Sequence, residues 1–279
     1  MPSAPIAITG ATGGIGGRIA RLLANRGVPM RLIVRDLARA PELPNTDIAA
    51  ATYADKAAMA DAVKGLETVF FISGFEAADR LDQHKRAIDA FAEAGIRRIV
   101  YTSFINCAAD STFTFARDHF HTEEHMASRG LAFAALRNNF YADLVPRLVS
   151  GGAIRGPAGN GRFAPVTRDD VAAVAASMLV DPSAPTGRFD VTGPERITME
   201  DAAAVLSDVT ASNVSFVNET LEEAYASRAE IEAPQFEIEG WVTSYAGIAA
   251  GEFDAVSDTV ERWTGRKPQS LREFLKKRP

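Results

Sequence analysis

Residues 5–26 read PIAITGATGGIGGRIARLLANR, and this stretch decides the fold. A short apolar run ends at Thr9, glycines follow at positions 10, 13 and 16, and apolar residues at helical spacing come next. A strand, a glycine-rich turn and a helix in this order are typical of a dinucleotide-binding unit. Gly10 permits the tight turn, Gly13 lets the backbone approach a pyrophosphate, and Gly16 lets the helix pack close to the strand. The spacing therefore predicts a Rossmann-type fold whose first helix presents its positive end to phosphates.

The end of the second predicted strand indicates which nucleotide is bound. Met30–Val34 is predicted to be a buried strand, and Arg35 follows it. An NAD-binding protein usually has an acidic residue here, which accepts a hydrogen bond from the ribose 2′-hydroxyl. The fork of donors on arginine suits a 2′-phosphate instead, and Arg39 adds positive charge nearby. The residues favour NADP; the alternative is that Arg35 is a surface residue and that Asp36 takes the acidic role.

Strand-like and helix-like segments alternate along the first half of the chain. Strands are predicted at Pro5–Thr9, Met30–Val34, Ile48–Thr52, Thr68–Ile72, Ile99–Thr102 and Leu131–Leu136. Helices are predicted at Ile15–Arg26, Lys56–Lys64, Arg80–Ala94 and His119–Ser128. The alternation predicts an α/β fold, with a doubly wound parallel sheet and helices on both of its faces.

The second half is less regular. Val149–Phe163 is rich in glycine, has no clear period, and is predicted to form loops over a cleft. Helices are predicted at Asp169–Leu179, Thr198–Ser207 and, as one or two helices, Leu221–Ala250, with a late strand at Arg188–Val191. Thr198 and Asp201 have the spacing of a capping box. We predict an NADP-binding Rossmann domain at residues 1–150 plus about 188–192, and a smaller C-terminal substrate lobe at 151–187 and 193–279.

Composition excludes several classes of function. A net charge of −6 and a pI near 5.4 argue against a nucleic-acid surface, which is normally basic. No segment approaches the roughly 18 apolar residues of a membrane span, and the start lacks the pattern of a signal peptide. The single cysteine, Cys107, cannot form an internal disulfide. We expect a cytoplasmic protein with no nucleic-acid, membrane or metal partner, and a homodimer is left open.

The motifs together resemble a known family. The chain is similar to the NmrA-like atypical short-chain dehydrogenases, and within them to NAD(P)H:quinone oxidoreductases and triphenylmethane reductases. The most selective matches are His119-x-x-Thr122-Glu123 and Arg137-Asn138-x-x-Tyr141. The resemblance covers about the first 190 residues well and continues weakly to the C-terminus.

The resemblance implies NADPH bound along the carboxyl ends of the strands. It implies contacts from Gly10, Ala11, Thr12, Gly13, Gly14 and Ile15 at the pyrophosphate, Arg35 at the 2′-phosphate, Tyr53 and Ala54 near the adenine, Ser73, Gly74 and Phe75 along the ribose, and Asn138, Tyr141 and Arg168 at the nicotinamide end. One departure concerns the third strand, where Thr52 replaces the acid that the family often has. The adenine hydrogen bond carried by that acid is therefore not expected here.

A missing motif indicates the class of acceptor. Ordinary short-chain dehydrogenases use Tyr-x-x-x-Lys to protonate the substrate oxygen, yet no tyrosine of this chain has a lysine four residues later. His119 and Glu123 have that spacing instead. Reduction of a ketone produces an alkoxide, whose acid has a pKa of about 15.7, as for water. Reduction of a quinone produces a phenolate-like anion, whose acid has a pKa of about 10. The residues therefore predict an NADPH-dependent oxidoreductase that transfers hydride to a quinone or a similar conjugated acceptor.

Several roles stay open from the sequence. The catalytic candidates are His119, Asn138 and Tyr141; His119 either donates a proton or packs in the first helical turn, and Asn138 is otherwise a turn residue. Candidate walls of an aromatic substrate pocket are Phe104, Tyr141, Phe236 and Trp241, which otherwise belong to the core. NmrA-like regulators keep the nucleotide fold without chemistry. A non-catalytic NADP-binding redox sensor is therefore the alternative function.

Overall fold

The computed structural model describes residues 5–277, so the ends of both predicted domains, residues 1–4 and 278–279, lie outside the described part. Two compact units account for the chain. The first runs to Ser103 and also includes His119–Leu136 and Val171–Phe189, and the second comprises Phe104–Asp118, Arg137–Asp170 and the chain from Asp190 onward. The predicted assignment of one domain to the nucleotide and another to the substrate stays a prediction.

Within residues 5–277, ten strands form two sheets. The strands are β1 Ile6–Thr9, β2 Met30–Val34, β3 Thr46–Ala50, β4 Thr68–Phe71, β5 Arg98–Phe104, β6 Ala132–Asn138, β7 Val149–Ser150, β8 Ala153–Gly156, β9 Gly187–Val191 and β10 Ser215–Asn218. The central sheet has seven strands in the order β3-β2-β1-β4-β5-β6-β9, and the smaller sheet has the order β10-β8-β7. β1 pairs in parallel with both β2 and β4. This is the predicted Rossmann-type α/β fold, and the prediction of the fold class is confirmed.

In the described part of the chain, ten α-helices connect and flank these strands. They are α1 Gly16–Asn25, α2 Lys56–Val63, α3 Arg80–Glu93, α4 Thr114–Ser128, α5 Arg168–Val180, α6 Met199–Thr210, α7 Leu221–Ala226, α8 Gln235–Ala249, α9 Thr259–Thr264 and α10 Leu271–Lys276. The capping box predicted for α6 is present, because Thr198 Oγ1 accepts from the Asp201 N–H and the Asp201 carboxylate accepts from the Thr198 N–H. Among residues 5–277, no helix combines the length and the apolar character needed to cross a membrane.

Two predictions of local structure were wrong. Val149–Phe163 is not entirely loop, because β7 and β8 pair antiparallel there and β8 pairs in parallel with β10. β7 has only two residues, Arg155 interrupts the apolar run of β8, and β10 begins and ends with the polar Ser215 and Asn218, so none of the three shows a continuous apolar run. Helix α4 begins at Thr114, five residues before the predicted start at His119.

Each unit has its own apolar core. In the first unit, Phe71, Phe91, Ile99 and Tyr101 pack together and are fully buried. All four residues of β1 and three of the four in β4 are buried, as expected for central strands covered on both faces. In the second unit, the core comprises residues from α6, α8, α10 and the small sheet, together with Phe163 and Phe253 from the connecting segments. Burial of the first core holds the carboxyl ends of β1, β4 and β5 at one edge of the sheet.

Replacing a core phenylalanine should destabilise the first unit strongly. Phe91 is fully buried, and its ring lies 5.5 Å from that of Phe71. We expect Phe91→Ala to lower the free energy of unfolding by about 3–5 kcal/mol, because it removes apolar contacts and leaves a cavity. The matched control is Phe75→Ala, since Phe75 is 76% exposed, and its effect should stay within about 0.5 kcal/mol. Urea denaturation measures both, and equal losses would contradict the assignment of the core.

Candidate functional site

The glycine-rich loop between β1 and α1 is built by close backbone contacts. Gly10 has φ +63°, in the left-handed region, and a Cβ there would lie 2.5 Å from Ile72 Cγ2. The Gly13 N–H donates to the Gly10 carbonyl oxygen at 2.9 Å and closes the turn. A Cβ on Gly16 would overlap the carbonyl oxygens of Gly10 and Thr9, which are backbone atoms and cannot move aside.

The same loop has the electrostatic character of an anion site. Thr12, Gly13 and Gly14 are exposed, and the first turn of α1 contains no acidic residue. Ile15, at the N-cap position, makes no side-chain capping bond. The positive end of the helix and an exposed backbone without side chains therefore fit a pyrophosphate, which is the contact predicted for residues 10–15.

The loop after β4 is held by side chains of other elements. Three consecutive backbone N–H groups each donate to such a side chain: Ile72 to Thr9 Oγ1 at 2.9 Å, Ser73 to Thr102 Oγ1 at 2.8 Å, and Gly74 to His84 Nε2 at 2.8 Å. The acceptors come from β1, β5 and α3. Sequence reasoning assigned no role to these three acceptors. The loop that includes Ser73 and Gly74 is therefore fixed at the carboxyl edge of the sheet.

Tyr53 ties the same loop to β1. Its hydroxyl lies 2.7 Å from both the Ile72 carbonyl oxygen and Thr9 Oγ1. Burial raises the pKa of the Tyr53 phenol well above its ordinary value, against smaller lowering effects of Thr9 and Arg35. The hydroxyl therefore stays neutral and has a structural use. Contact of Tyr53 and the exposed Ala54 with the adenine stays a prediction.

Arg35 and Phe75 come together at the exposed end of β2. The Arg35 guanidinium carbon lies 5.5 Å from the centroid of the Phe75 ring, and both side chains are exposed. The Asp36 carboxylate accepts from the Ala38 N–H at 3.0 Å and caps the short 3-10 helix Leu37–Arg39. Asp36 therefore has a local structural use, and the geometry favours Arg35 as the residue that meets the 2′-phosphate.

His119 has hydrogen bonds at both ring nitrogens. Nε2 lies 2.9 Å from a guanidinium nitrogen of Arg80, and Nδ1 lies 2.9 Å from the Tyr101 hydroxyl. A guanidinium only donates, so Nε2 accepts and the neutral ring carries its proton on Nδ1. His119 is also buried. The geometry favours the packing alternative for His119, because proton donation from Nε2 would require Arg80 to move away.

In the second unit, Asn138, Tyr141 and Arg168 form one cluster, although α5 begins 27 residues after Tyr141. Asn138 Nδ2 donates to the Tyr141 hydroxyl oxygen at 3.1 Å. The Arg168 guanidinium carbon lies 4.8 Å from the centroid of the Tyr141 ring, and its Nη1 lies 3.4 Å from Asp143 Oδ1. Asn138 Oδ1 is buried and accepts no hydrogen bond from residues 5–277. A buried acceptor of this kind fits an amide donor such as the carboxamide of nicotinamide.

Of the aromatic residues predicted to line a substrate pocket, Phe104 and Phe236 belong to one row of rings in the second unit, and Trp241 is partly exposed. The Phe104 ring lies 5.0 Å from those of Phe113 and Phe253, and Phe236 lies 6.4 Å from Phe115. Phe113 and Phe115 are themselves 5.7 Å apart. One row of rings thus joins Phe104 to Phe236 through two phenylalanines that sequence reasoning missed; their signal is the alternation Thr112-Phe113-Thr114-Phe115. Trp241, the other predicted wall residue, is 38% exposed.

Comparisons with known proteins agree with this geometry. Residues 10–182 match the protein family described as NAD(P)H-binding. The chain is 30% identical to quinone oxidoreductase 2 of Escherichia coli K12, over 97% of each chain. It is 28% identical to NAD(P)H azoreductase of Xenophilus azovorans, over 97% of this chain and 96% of the relative.

Solved structures show the same similarity. The NADPH complex of the E. coli NADPH-dependent quinone oxidoreductase superimposes with a TM-score of 0.88 at 29% identity, over 97% of this chain and 98% of the other. The Citrobacter sp. triphenylmethane reductase in complex with NADP(H) superimposes with a TM-score of 0.85 at 26% identity, over 97% and 99%.

The buried His84 should make stability depend on pH. Burial and, to a smaller extent, the charge of Arg80 hold the pKa of His84 well below its ordinary value of 6.5. Below pH 6.5 the unfolded chain therefore binds a proton that the folded chain does not, and stability falls as the pH decreases. One proton corresponds to a slope of at most about 1.4 kcal/mol per pH unit.

We expect His84→Gln to make this decline shallower, because glutamine does not titrate. Urea denaturation at pH 7.5, 6.5, 5.5 and 5.0 (pH values chosen at about one-unit steps around the ordinary histidine pKa) measures the slope. The matched control is His121→Gln, which removes an exposed imidazole of α4 and should leave the slope close to that of the wild type. Equal slopes for the wild type and His84→Gln would contradict the prediction.

Proposed function

This chain belongs to the NAD(P)H-binding family and is an NADP(H)-dependent oxidoreductase, and we propose that its acceptor is a quinone or a similar conjugated aromatic compound. The observation that carries the proposal is the state of His119. This residue has the spacing to Glu123 that the catalytic tyrosine has to lysine in ordinary short-chain dehydrogenases. Its Nε2 accepts from Arg80 and holds no proton to give. An acceptor that needs no proton at the moment of reaction suits such a site.

The residues of the first unit hold the cofactor in this proposal. NADPH, when bound, supplies the hydride. The backbone of residues 10–15 binds the pyrophosphate, and Arg35 binds the 2′-phosphate through its paired donors. The ribose lies along the loop Ser73, Gly74 and Phe75, with the adenine near Tyr53 and Ala54.

The proton balance separates the acceptors. The anion formed from a quinone is less basic than the alkoxide formed from a ketone by five to six pKa units, or about 7–8 kcal/mol in proton affinity. A phenolate-like anion persists until water protonates it, and a cationic dye carbon needs no proton after it receives hydride. Positioning of the hydride donor and the acceptor is then the main contribution of the protein. The relatives' names agree, because one reduces quinones and another azo compounds.

The cluster of the second unit provides polar contacts in this proposal. Asn138 donates to the Tyr141 oxygen, so the phenolic proton of Tyr141 is directed away from Asn138. We assign Tyr141 to donate a hydrogen bond to the acceptor oxygen, and Asn138 Oδ1 to accept one from the nicotinamide carboxamide. Arg168 lies over the Tyr141 ring and restricts its orientation. Phe104, Phe236 and Trp241 are the proposed apolar walls for a flat aromatic acceptor.

Changing the charge at position 35 tests the nucleotide assignment. Arg35→Asp removes a charged donor pair and places a carboxylate near the 2′-phosphate. Since hydrogen bonds to charged groups contribute about 1.5–3 kcal/mol, the ratio of kcat/KM for NADPH to that for NADH should fall about tenfold to a hundredfold. Steady-state kinetics with both nucleotides measure this ratio. Arg26→Asp makes the same charge change at an exposed position after α1 and is the control. An unchanged ratio in Arg35→Asp would remove Arg35 from its role.

A panel of acceptors tests the reaction. Oxidation of NADPH is followed with benzoquinone, a cationic triphenylmethane dye and a simple ketone. We expect turnover with the quinone and the dye, and a ketone rate lower by about a hundredfold or more, because general acid catalysis contributes at least that factor. Comparable turnover of the ketone would show that a proton donor is present. Tight binding of NADP(H) without turnover of any acceptor would instead favour the redox sensor.

A further inference from the structure

The imidazole of His84 lies directly under the loop that follows β4. Its side chain is fully buried, and Nε2 lies 2.8 Å from the Gly74 backbone nitrogen. Nδ1 lies 2.9 Å from Thr122 Oγ1 of α4. A backbone N–H only donates, so Nε2 is the acceptor and Nδ1–H donates to the threonine hydroxyl. Two contacts from two elements therefore set both the tautomer and the position of the ring.

Packing prevents this ring from turning. The rings of Phe71, Tyr53 and Tyr101 surround it edge to face, with centroids 5.2, 6.1 and 6.1 Å away. On the fourth side, a Cβ at Gly74 would lie 3.3 Å from Nε2 and 3.7 Å from the Tyr53 ring. Glycine is thus the residue that brings its backbone nitrogen within hydrogen-bond distance of the imidazole without crowding it.

His84 holds Gly74, the third of the three loop residues whose backbone N–H groups are bonded to side chains of other elements. The preceding N–H groups, of Ile72 and Ser73, are held by threonine hydroxyls of the sheet itself. Gly74 is instead held by a helix residue, and Phe75, which follows, is 76% exposed. The direction in which the chain leaves the sheet toward Phe75 and its partner Arg35 therefore depends on the imidazole.

We propose that His84 is a positioning residue for the nucleotide: it acts through the Gly74 backbone N–H, and Thr122 keeps it in the tautomer that accepts this bond. The inference rests on the proposed placement of the cofactor ribose along Ser73, Gly74 and Phe75. His84 itself touches neither the cofactor nor the reacting atoms. Its effect should appear in nucleotide affinity and not in the rate of the chemical step.

The test uses the affinity of the full chain for NADPH, measured by fluorescence titration, and kcat with benzoquinone at saturating NADPH. His84→Leu removes the acceptor and should raise the Kd about threefold to tenfold, as expected for one neutral hydrogen bond, with kcat close to the wild-type value. His84→Gln returns an acceptor oxygen close to the Nε2 position and should restore the Kd. Thr122→Val should raise the Kd when His84 is present and have little effect when combined with His84→Gln.

Each outcome of these measurements either supports or overturns the inference about His84. An unchanged Kd in His84→Leu, with a raised Kd in Arg35→Asp, overturns the role of His84 and leaves the proposed cofactor site intact. A lack of NADPH binding by the wild type overturns the proposed cofactor site itself. If His84→Leu lowers nucleotide affinity, kcat and melting temperature together, and His84→Gln restores none of them, His84 is a purely structural residue and the inference is overturned. If His84→Leu does not fold, Thr122→Val decides, because an unchanged Kd there also overturns the inference.

Discussion

The first unit depends on the approach of Gly16 to the carbonyl oxygens of Thr9 and Gly10, where a single Cβ would overlap backbone atoms. This contact places the beginning of α1 directly against the end of β1. Gly10 in turn adopts a left-handed conformation and contacts Ile72, so the loop after β4 lies next to the turn between β1 and α1. The anion site and the adjoining loop both depend on these two positions having no side chain.

A second constraint is the buried Arg80. Its guanidinium donates to His119, which fixes the tautomer of that ring, and its charge also disfavours protonation of His84. Burial is the main reason that the pKa of His84 is lowered, and the Arg80 charge adds to it, while the hydrogen bond from Arg80 makes Nε2 of His119 an acceptor. The proposed chemistry agrees with this arrangement, since a site in which neither of these imidazoles presents a proton to the acceptor suits acceptors whose reduced forms are weak bases.

Much of the fold was predictable because buried parallel strands are short, continuous apolar runs, and the glycines at 10, 13 and 16 have one common explanation. The start of α4 could not be predicted, because Thr114–Asp118 has no helical apolar pattern of its own. In the second unit, Phe115 of this segment packs against Phe113 and Phe236. The small sheet was missed because β7 has only two residues and because polar residues interrupt the apolar runs of β8 and β10, which are as long as β1 and β4. At the site, the sequence could place Arg35 and Asn138 on strand ends, but the hydrogen bond that sets the tautomer of the buried His119 comes from Arg80, which is 39 residues away.

The loop after β4 belongs to neither helix nor sheet, yet three successive amide groups in it are bonded to groups outside it. A flexible loop of this length would lose backbone conformational entropy when a ligand orders it, at about 1–2 kcal/mol per residue. Here that entropy is already lost when the chain folds. In the proposed placement of the nucleotide, this loop is a preorganised surface, and more of the free energy of its contacts would remain as affinity.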